Sequence, residues 1–90
     1  MVNLSKNWVL QIDPQVLKIL KRFPQKDSNR IVSAVESLSN NPYEGDIQKM
    51  KGEKNVWRRR IGSYRIFFEL LSEQNIIHVY SVERRTTQTY

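Results

Sequence analysis

The feature that most constrains this chain is a change of hydrophobic period near residue 45. Ahead of it, Ile31, Ala34, Val35 and Leu38 recur at i, i+3, i+4 and i+7, one face of an α-helix. Val16, Leu20 and Phe23, widened by Leu17 and Ile19, make an earlier stripe of the same kind. Asp13 is suited to cap that first helix and Pro14 to open it, because proline's missing N–H is not needed there. Pro24 ends it. The second helix is expected to begin near Asp27-Ser28 and to stop at Asn40-Asn41-Pro42. From Ile47 onward the period is two. Strands are predicted at 47–51, closed by Gly52, then at 56–61, 64–71 and 76–83, with Gly62-Ser63 a tight hairpin turn and Glu73-Gln74-Asn75 another. Residues 7–12 are short, apolar and β-rich and read as a leading strand. The order β-α-α-β-β-β-β predicts an α+β fold, with two N-terminal helices as a helical hairpin on one face of a mainly antiparallel twisted sheet.

Ninety residues are enough for a single domain, taken here as 1–90, with one modest core. The 39% apolar content and nine aromatic residues suit a folded domain better than a disordered segment. With no cysteine and a single histidine, neither a disulfide framework nor a metal site is expected, and no cofactor is implied. No apolar run reaches the roughly 20 residues that a membrane-spanning helix needs. Residues 1–7 lack the pattern of a secretory signal. A cytoplasmic protein with no membrane partner is the expectation.

The charge narrows the partner. Fifteen Lys and Arg against nine Asp and Glu leave a net +6, which favours a polyanion. Six of the eight arginines lie in the second half, at Arg58, Arg59, Arg60, Arg65, Arg84 and Arg85. Side chains alternate along a strand, so the two faces can be sorted. Tyr64, Ile66, Phe68 and Leu70 form an apolar set that should pack on the helices. Trp57 and Ile61 join that set, with Arg59 between them. Arg58 and Arg60 then face away, and a two-residue turn brings Arg60 beside Arg65. Like charges opposite one another destabilise a sheet, so such a cluster is better explained by an anion that it holds than by stability. A solvated basic face, partly neutralised by Glu69 and Glu83, is the plainer alternative. His78 is placed on the same side as Ile76, Tyr80 and Val82, in a structural role. Lys49, Lys51 and Lys54 read as solvated charges, which would help hold the backbone of an RNA or other polyanion.

Several segments taken in order resemble a known family. They are Lys49-Met-Lys-Gly52, Trp57-Arg-Arg-Arg-Ile-Gly-Ser-Tyr-Arg-Ile66, Val79-Tyr-Ser-Val-Glu-Arg-Arg85 and Tyr90. Together they resemble the RelE branch of the RelE/ParE toxin superfamily, colinearly over nearly the whole chain. The Gly-x-Tyr-Arg of residues 62–65 is the most specific part. The resemblance implies a toxin of a type II toxin–antitoxin system, an endoribonuclease that cuts mRNA in the ribosomal A site and leaves a 2′,3′-cyclic phosphate. It also implies a cognate antitoxin protein that silences it. The active-site positions it implies fall on Arg58, Arg60, Arg65, Arg85 and Tyr90. Arg84 is a second candidate for the arginine that ends the last strand and is otherwise a contact to RNA or the ribosome.

Such cleavage needs a base for the 2′-OH proton, positive charge on the transition state, and an acid for the leaving 5′-oxygen. Arginine supplies the charge but is a poor proton acceptor. The best-known members of the branch carry lysine at the positions of Arg58 and Arg60, and lysine can shuttle a proton when desolvated. That leaves Tyr90 as the candidate base, or as a stacking platform for a flipped base. Two other readings remain open: a ParE-type inhibitor of DNA gyrase, and a non-catalytic basic RNA-binding module.

Overall fold

The computed structural model describes residues 8–84. Its elements are β1 (Val9–Ile12), α1 (Pro14–Leu20), α2 (Gln25–Leu38), β2 (Ile47–Lys49), β3 (Val56–Ile61), β4 (Tyr64–Leu71) and β5 (Ile76–Arg84). The strands form one sheet in the order β1-β5-β4-β3-β2. Strands β2 to β5 make an antiparallel meander, and β1 joins its far side parallel to β5. This is the α+β architecture that the change of period predicts.

The local differences concern element ends. Helix α1 starts as expected, with Asp13 accepting from the Gln15 N–H at 2.9 Å, but it finishes at Leu20. Phe23 lies past its end, with its ring 4.7 Å from that of Tyr64. Helix α2 begins at Gln25, directly after Pro24 and ahead of the Asp27-Ser28 signal. Proline there gives up an N–H that no helical carbonyl would accept. Strand β2 is shorter than residues 47–51, ending at Lys49 before the turn at Gly52.

The core lies between α2 and the inner face of the sheet. Ile31, Ala34, Val35 and Leu38 of α2 are buried against Tyr64, Ile66, Phe68 and Leu70 of β4. Along β4, buried and half-buried residues alternate without a break. The Tyr64 hydroxyl donates to Asp27 Oδ2 at 2.6 Å, tying the inner face to the first turn of α2. That hydrogen bond, with burial and the Asp27 charge behind it, holds the Tyr64 phenol above its ordinary pKa, against a smaller opposing pull from Arg84 and Arg30.

One irregularity decides what faces where. Phe67 pairs with Ser81 while Phe68 pairs with Val79, so Tyr80 is an extra residue in β5. A bulge of this kind reverses the side-chain parity of everything beyond it. Strict alternation puts Val82 beside His78 on the outer face. Instead Val82 is buried in the core with Ile77 and Val79. The same reversal pairs Glu83 with Arg65 on the outer face and Arg84 with Tyr64 on the inner one.

Candidate nucleic-acid interface

The outer face of β3, β4 and β5 carries the arginine cluster. The β3–β4 turn has Gly62 at φ +59°, followed by Ser63, and its two flanking residues, Ile61 and Tyr64, are paired. Glycine at the first central position with positive φ is the pattern of a tight hairpin turn matched to the twist of the strands. The turn sets Arg60 directly opposite Arg65, with Arg58 opposite Phe67 one step further along the same face. Residues so paired have Cβ atoms about 5 Å apart, close enough for two guanidinium groups to share one anion.

The partners of these arginines are few. Arg60 has Asp46 at 3.6 Å from its Nε, both side chains largely exposed, and its backbone N–H donates to the Asp46 carbonyl at 2.8 Å. Arg58 donates to the Gln48 side-chain oxygen from the neighbouring edge strand. Neither Arg65 nor Glu83 forms an ion pair with another described residue, although they are paired across β4 and β5. An exposed ion pair such as Arg60–Asp46 is worth only about 0–1 kcal/mol and is readily exchanged for a stronger anion.

Arg59, in the middle of the same run, does different work. It faces inward, where its Nη1 donates to Ser37 Oγ at 3.1 Å and to the Ala34 carbonyl at 3.4 Å, at the C-terminal end of α2. Its Nε is buried without a hydrogen-bond partner among the described residues. The loop passes over it at Gly45, where φ is +93° and a Cβ would lie 2.8 Å from that Nε. Glycine is required there for both reasons.

The other positions expected from the sequence are divided. Lys51 and Lys54 are exposed in the loop between β2 and β3, and Lys49 is exposed on the edge strand opposite Trp57. Lys49 and Lys51 share a cleft of about 390 Å³ with Gln48, Met50 and Arg58, so they flank the cluster at the sheet edge. Arg84 is not brought into the cluster. Its guanidinium carbon sits 5.9 Å from the centre of the Tyr64 ring, on the inner side. Arg85 and Tyr90 lie outside the described residues.

Alternation sets Tyr80 on the same side as His78, and strand pairing brings both beside Phe67 as a row of rings next to the arginines. Tyr80, carried by the bulge, lies 6.3 Å from Phe67 and 6.2 Å from the ring of His78, centre to centre. His78 Nδ1 is 3.0 Å from Glu69 Oε1, and that pairing supports a structural role. Burial, then the charges of Glu53, Glu69 and Glu83, raise the Tyr80 pKa above its ordinary value, so its phenol stays protonated. Tyr80 is therefore a donor and a stacking surface rather than a base.

The decisive comparison is with families. The profile described as "ParE toxin of type II toxin-antitoxin system, parDE" matches residues 10–89. The chain belongs to the RelE/ParE superfamily of type II toxins. Within it the relatives are of the RelE type. A protein designated RelE1 from Methanocaldococcus jannaschii is 33% identical over 79 residues, covering 84% of this chain and 88% of its own. The RelE–RelB complex of Pyrococcus horikoshii shares the fold, with TM-score 0.79 and 22% identity over 91% of this chain and 99% of that one. The RelB–RelE complex of Methanococcus jannaschii follows with TM-score 0.70 and 29% identity, covering 83% and 90%. The isolated RelE toxin of E. coli has TM-score 0.76 at 16% identity, covering 90% and 87%. This RelE-type toxin has no described helix long and apolar enough to cross a membrane. Among its described residues there is also no group of three or more His, Cys, Asp or Glu side chains that could hold a metal.

Proposed function

We propose that this RelE-type toxin is a ribosome-dependent endoribonuclease that cuts mRNA in the A site. The observation that supports it most is the placement of Arg60 opposite Arg65 with Arg58 alongside, an outward-facing set, Arg60 exposed and the other two half-buried, that stability alone disfavours. A scissile phosphate seated there is gripped by rigid bidentate donors. As the 2′-oxygen attacks the adjacent phosphorus, the guanidinium groups take up the charge that develops on the non-bridging oxygens. The 2′-O–P bond forms as the P–5′-O bond breaks, and the leaving 5′-oxygen takes a proton from water, giving a 2′,3′-cyclic phosphate and a 5′-hydroxyl. Tyr90 takes the 2′-OH proton or stacks on the displaced base, and Arg85 adds charge to the clamp. Lys49, Lys51 and Lys54 hold neighbouring RNA phosphates, whereas Arg84, turned to the inner side against Tyr64, is left out of that set. Arginine at positions 58 and 60 makes this site a stronger clamp and a poorer proton relay than one built on lysine.

The partner that restrains it is an antitoxin, as in the RelE–RelB complexes of the relatives. An acidic segment that orders on the arginine face, or one that displaces Tyr90, would neutralise the site. The test is induction of the toxin in bacteria with the order of arrest recorded. Codon-spaced mRNA cuts with translation stopping first are expected. Replication stopping first, with an SOS response and intact mRNA, would replace this reading with ParE-type inhibition of gyrase.

A further inference from the structure

The arginine cluster does not occupy the outer face alone. Next to it lies a cleft of about 290 Å³ lined by Met50, Glu53, Val56, Phe67, Tyr80, Ser81 and Glu83. Its walls combine three kinds of group. Phe67 and Tyr80 supply tilted aromatic surface. Met50 and Val56 supply apolar flanks, and Glu53 and Glu83 supply carboxylates. Strand register fixes the cleft against the clamp, since Phe67 is opposite Arg58 and Glu83 is opposite Arg65. Phe67 and Arg65 are two residues apart on one face of β4, about 7 Å along the strand. The cleft is just below the lower end of the usual size of small-molecule pockets, roughly 300 Å³, which suits one planar ring system better than a whole nucleotide.

We propose that this cleft is a base-binding subsite that receives a guanine of single-stranded RNA while Arg58 and Arg65 hold its phosphates. The inference rests on the reading of the face as an RNA site and adds to it a nucleotide preference. The chemistry of the rim selects the base. Carboxylates accept hydrogen bonds and cannot donate them, so they favour bases with amino groups. Guanine offers two adjacent donors, N1–H and the N2 amino group, to a single carboxylate. Uracil presents two carbonyl oxygens around one N–H and meets the same carboxylates with repulsion. The Tyr80 hydroxyl, kept protonated by its burial and acidic surroundings, donates to a carbonyl such as guanine O6. The bulge completes the cleft, because it turns Glu83 onto the outer face that Tyr80 already shares with Phe67.

The experiment measures binding of the full-length toxin to two labelled single-stranded hexanucleotides at one fixed low salt concentration. One is all uridine, and the other carries a single central guanosine. The guanosine strand should bind about 10- to 100-fold tighter, the discrimination expected of a bidentate contact to a base. Glu83→Gln should cut that ratio at least severalfold without weakening the uridine strand, because a repelling carboxylate is gone while the phosphate clamp remains. Tyr80→Ala should weaken binding of the guanosine strand by roughly 5- to 150-fold, the range of base–aromatic stacking, and Tyr80→Phe should keep most of it. Thermal unfolding of each variant confirms that it is folded. Equal affinity of the wild type for both strands, no measurable binding of either, or a Tyr80→Ala variant that binds as the wild type does would overturn the subsite. Cleavage is read separately in a translating extract. Wild-type toxin that cuts nothing there refutes the nuclease reading and leaves the hexanucleotide ratio standing. Cutting that shows the same nucleotide spectrum in wild type and Glu83→Gln refutes the subsite and leaves the nuclease.

Discussion

The two faces of one strand pair, β3 and β4, have opposite requirements. On the inner face, Tyr64, Ile66, Phe68 and Leu70 are buried against α2, and the arginine that intrudes, Arg59, is held by the helix end. On the outer face, Arg58, Arg60 and Arg65 are brought together with one weak ion pair to Asp46. The inner face is what stability requires: apolar area removed from water, and a charge given hydrogen-bond acceptors where it had to be enclosed. The outer face works against stability, a cost that the proposed RNA clamp accounts for. Adjacent residues of a single run, Arg-Arg-Arg, are divided between these purposes by side-chain alternation alone.

The largest effect on this contrast should come from the inner face. Phe68→Ala removes a fully buried ring, and a loss of about 3–5 kcal/mol is expected, a large share of what a domain of this size has. Chemical denaturation would show a reduced midpoint, and an unchanged midpoint would mean that the core does not depend on β4. Arg65→Ala should do the reverse. Growth inhibition should fall with a rate loss on the order of 10²–10³, while thermal unfolding stays near that of the wild type. A folded, fully toxic Arg65→Ala protein would remove the clamp from the account.

The sharpest division is between neighbours. Arg59→Ala should lower stability by about 1–3 kcal/mol, through the loss of its contacts at the end of α2, and leave the specific activity of folded protein intact. Arg58→Ala should weaken RNA binding and lessen its salt dependence, with little change in stability. Matching phenotypes for the two variants would show that the faces are not separated in function.

The smallest effect is one of pH. The Tyr64 phenol has a folded pKa above its ordinary value, chiefly because it donates to Asp27. Its contribution is therefore complete below a pH of about 10, the ordinary value, and is lost as pH rises through the higher folded value. Tyr64→Phe should be less stable than wild type at neutral pH, with the difference shrinking as the pH is raised above 10. A difference that stays constant across that range would place the hydrogen bond outside the titration.

The sequence by itself determined a good deal of this molecule. The period of 3.6 in Ile31, Ala34, Val35 and Leu38 specifies α2 and its buried stripe, and strict alternation in Tyr64–Leu71 specifies β4 and both of its faces. These are local properties, repeated over several residues, and each buried set is large enough to fix its own register. The two-residue turn at Gly62-Ser63 is local too, so the meeting of Arg60 with Arg65 follows from the chain alone. Tertiary structure decided what a one-residue change of pairing controls. The bulge at Tyr80 has no mark in the sequence, because Ile76–Arg84 reads equally well as an uninterrupted strand. It arises from how β5 fits between β4 and β1 while keeping Ile77, Val79 and Val82 in the core. Its consequence is disproportionate to its size. Side chains alternate with a period of two, so one extra residue turns Val82 and Arg84 off the outer face and turns Glu83 onto it.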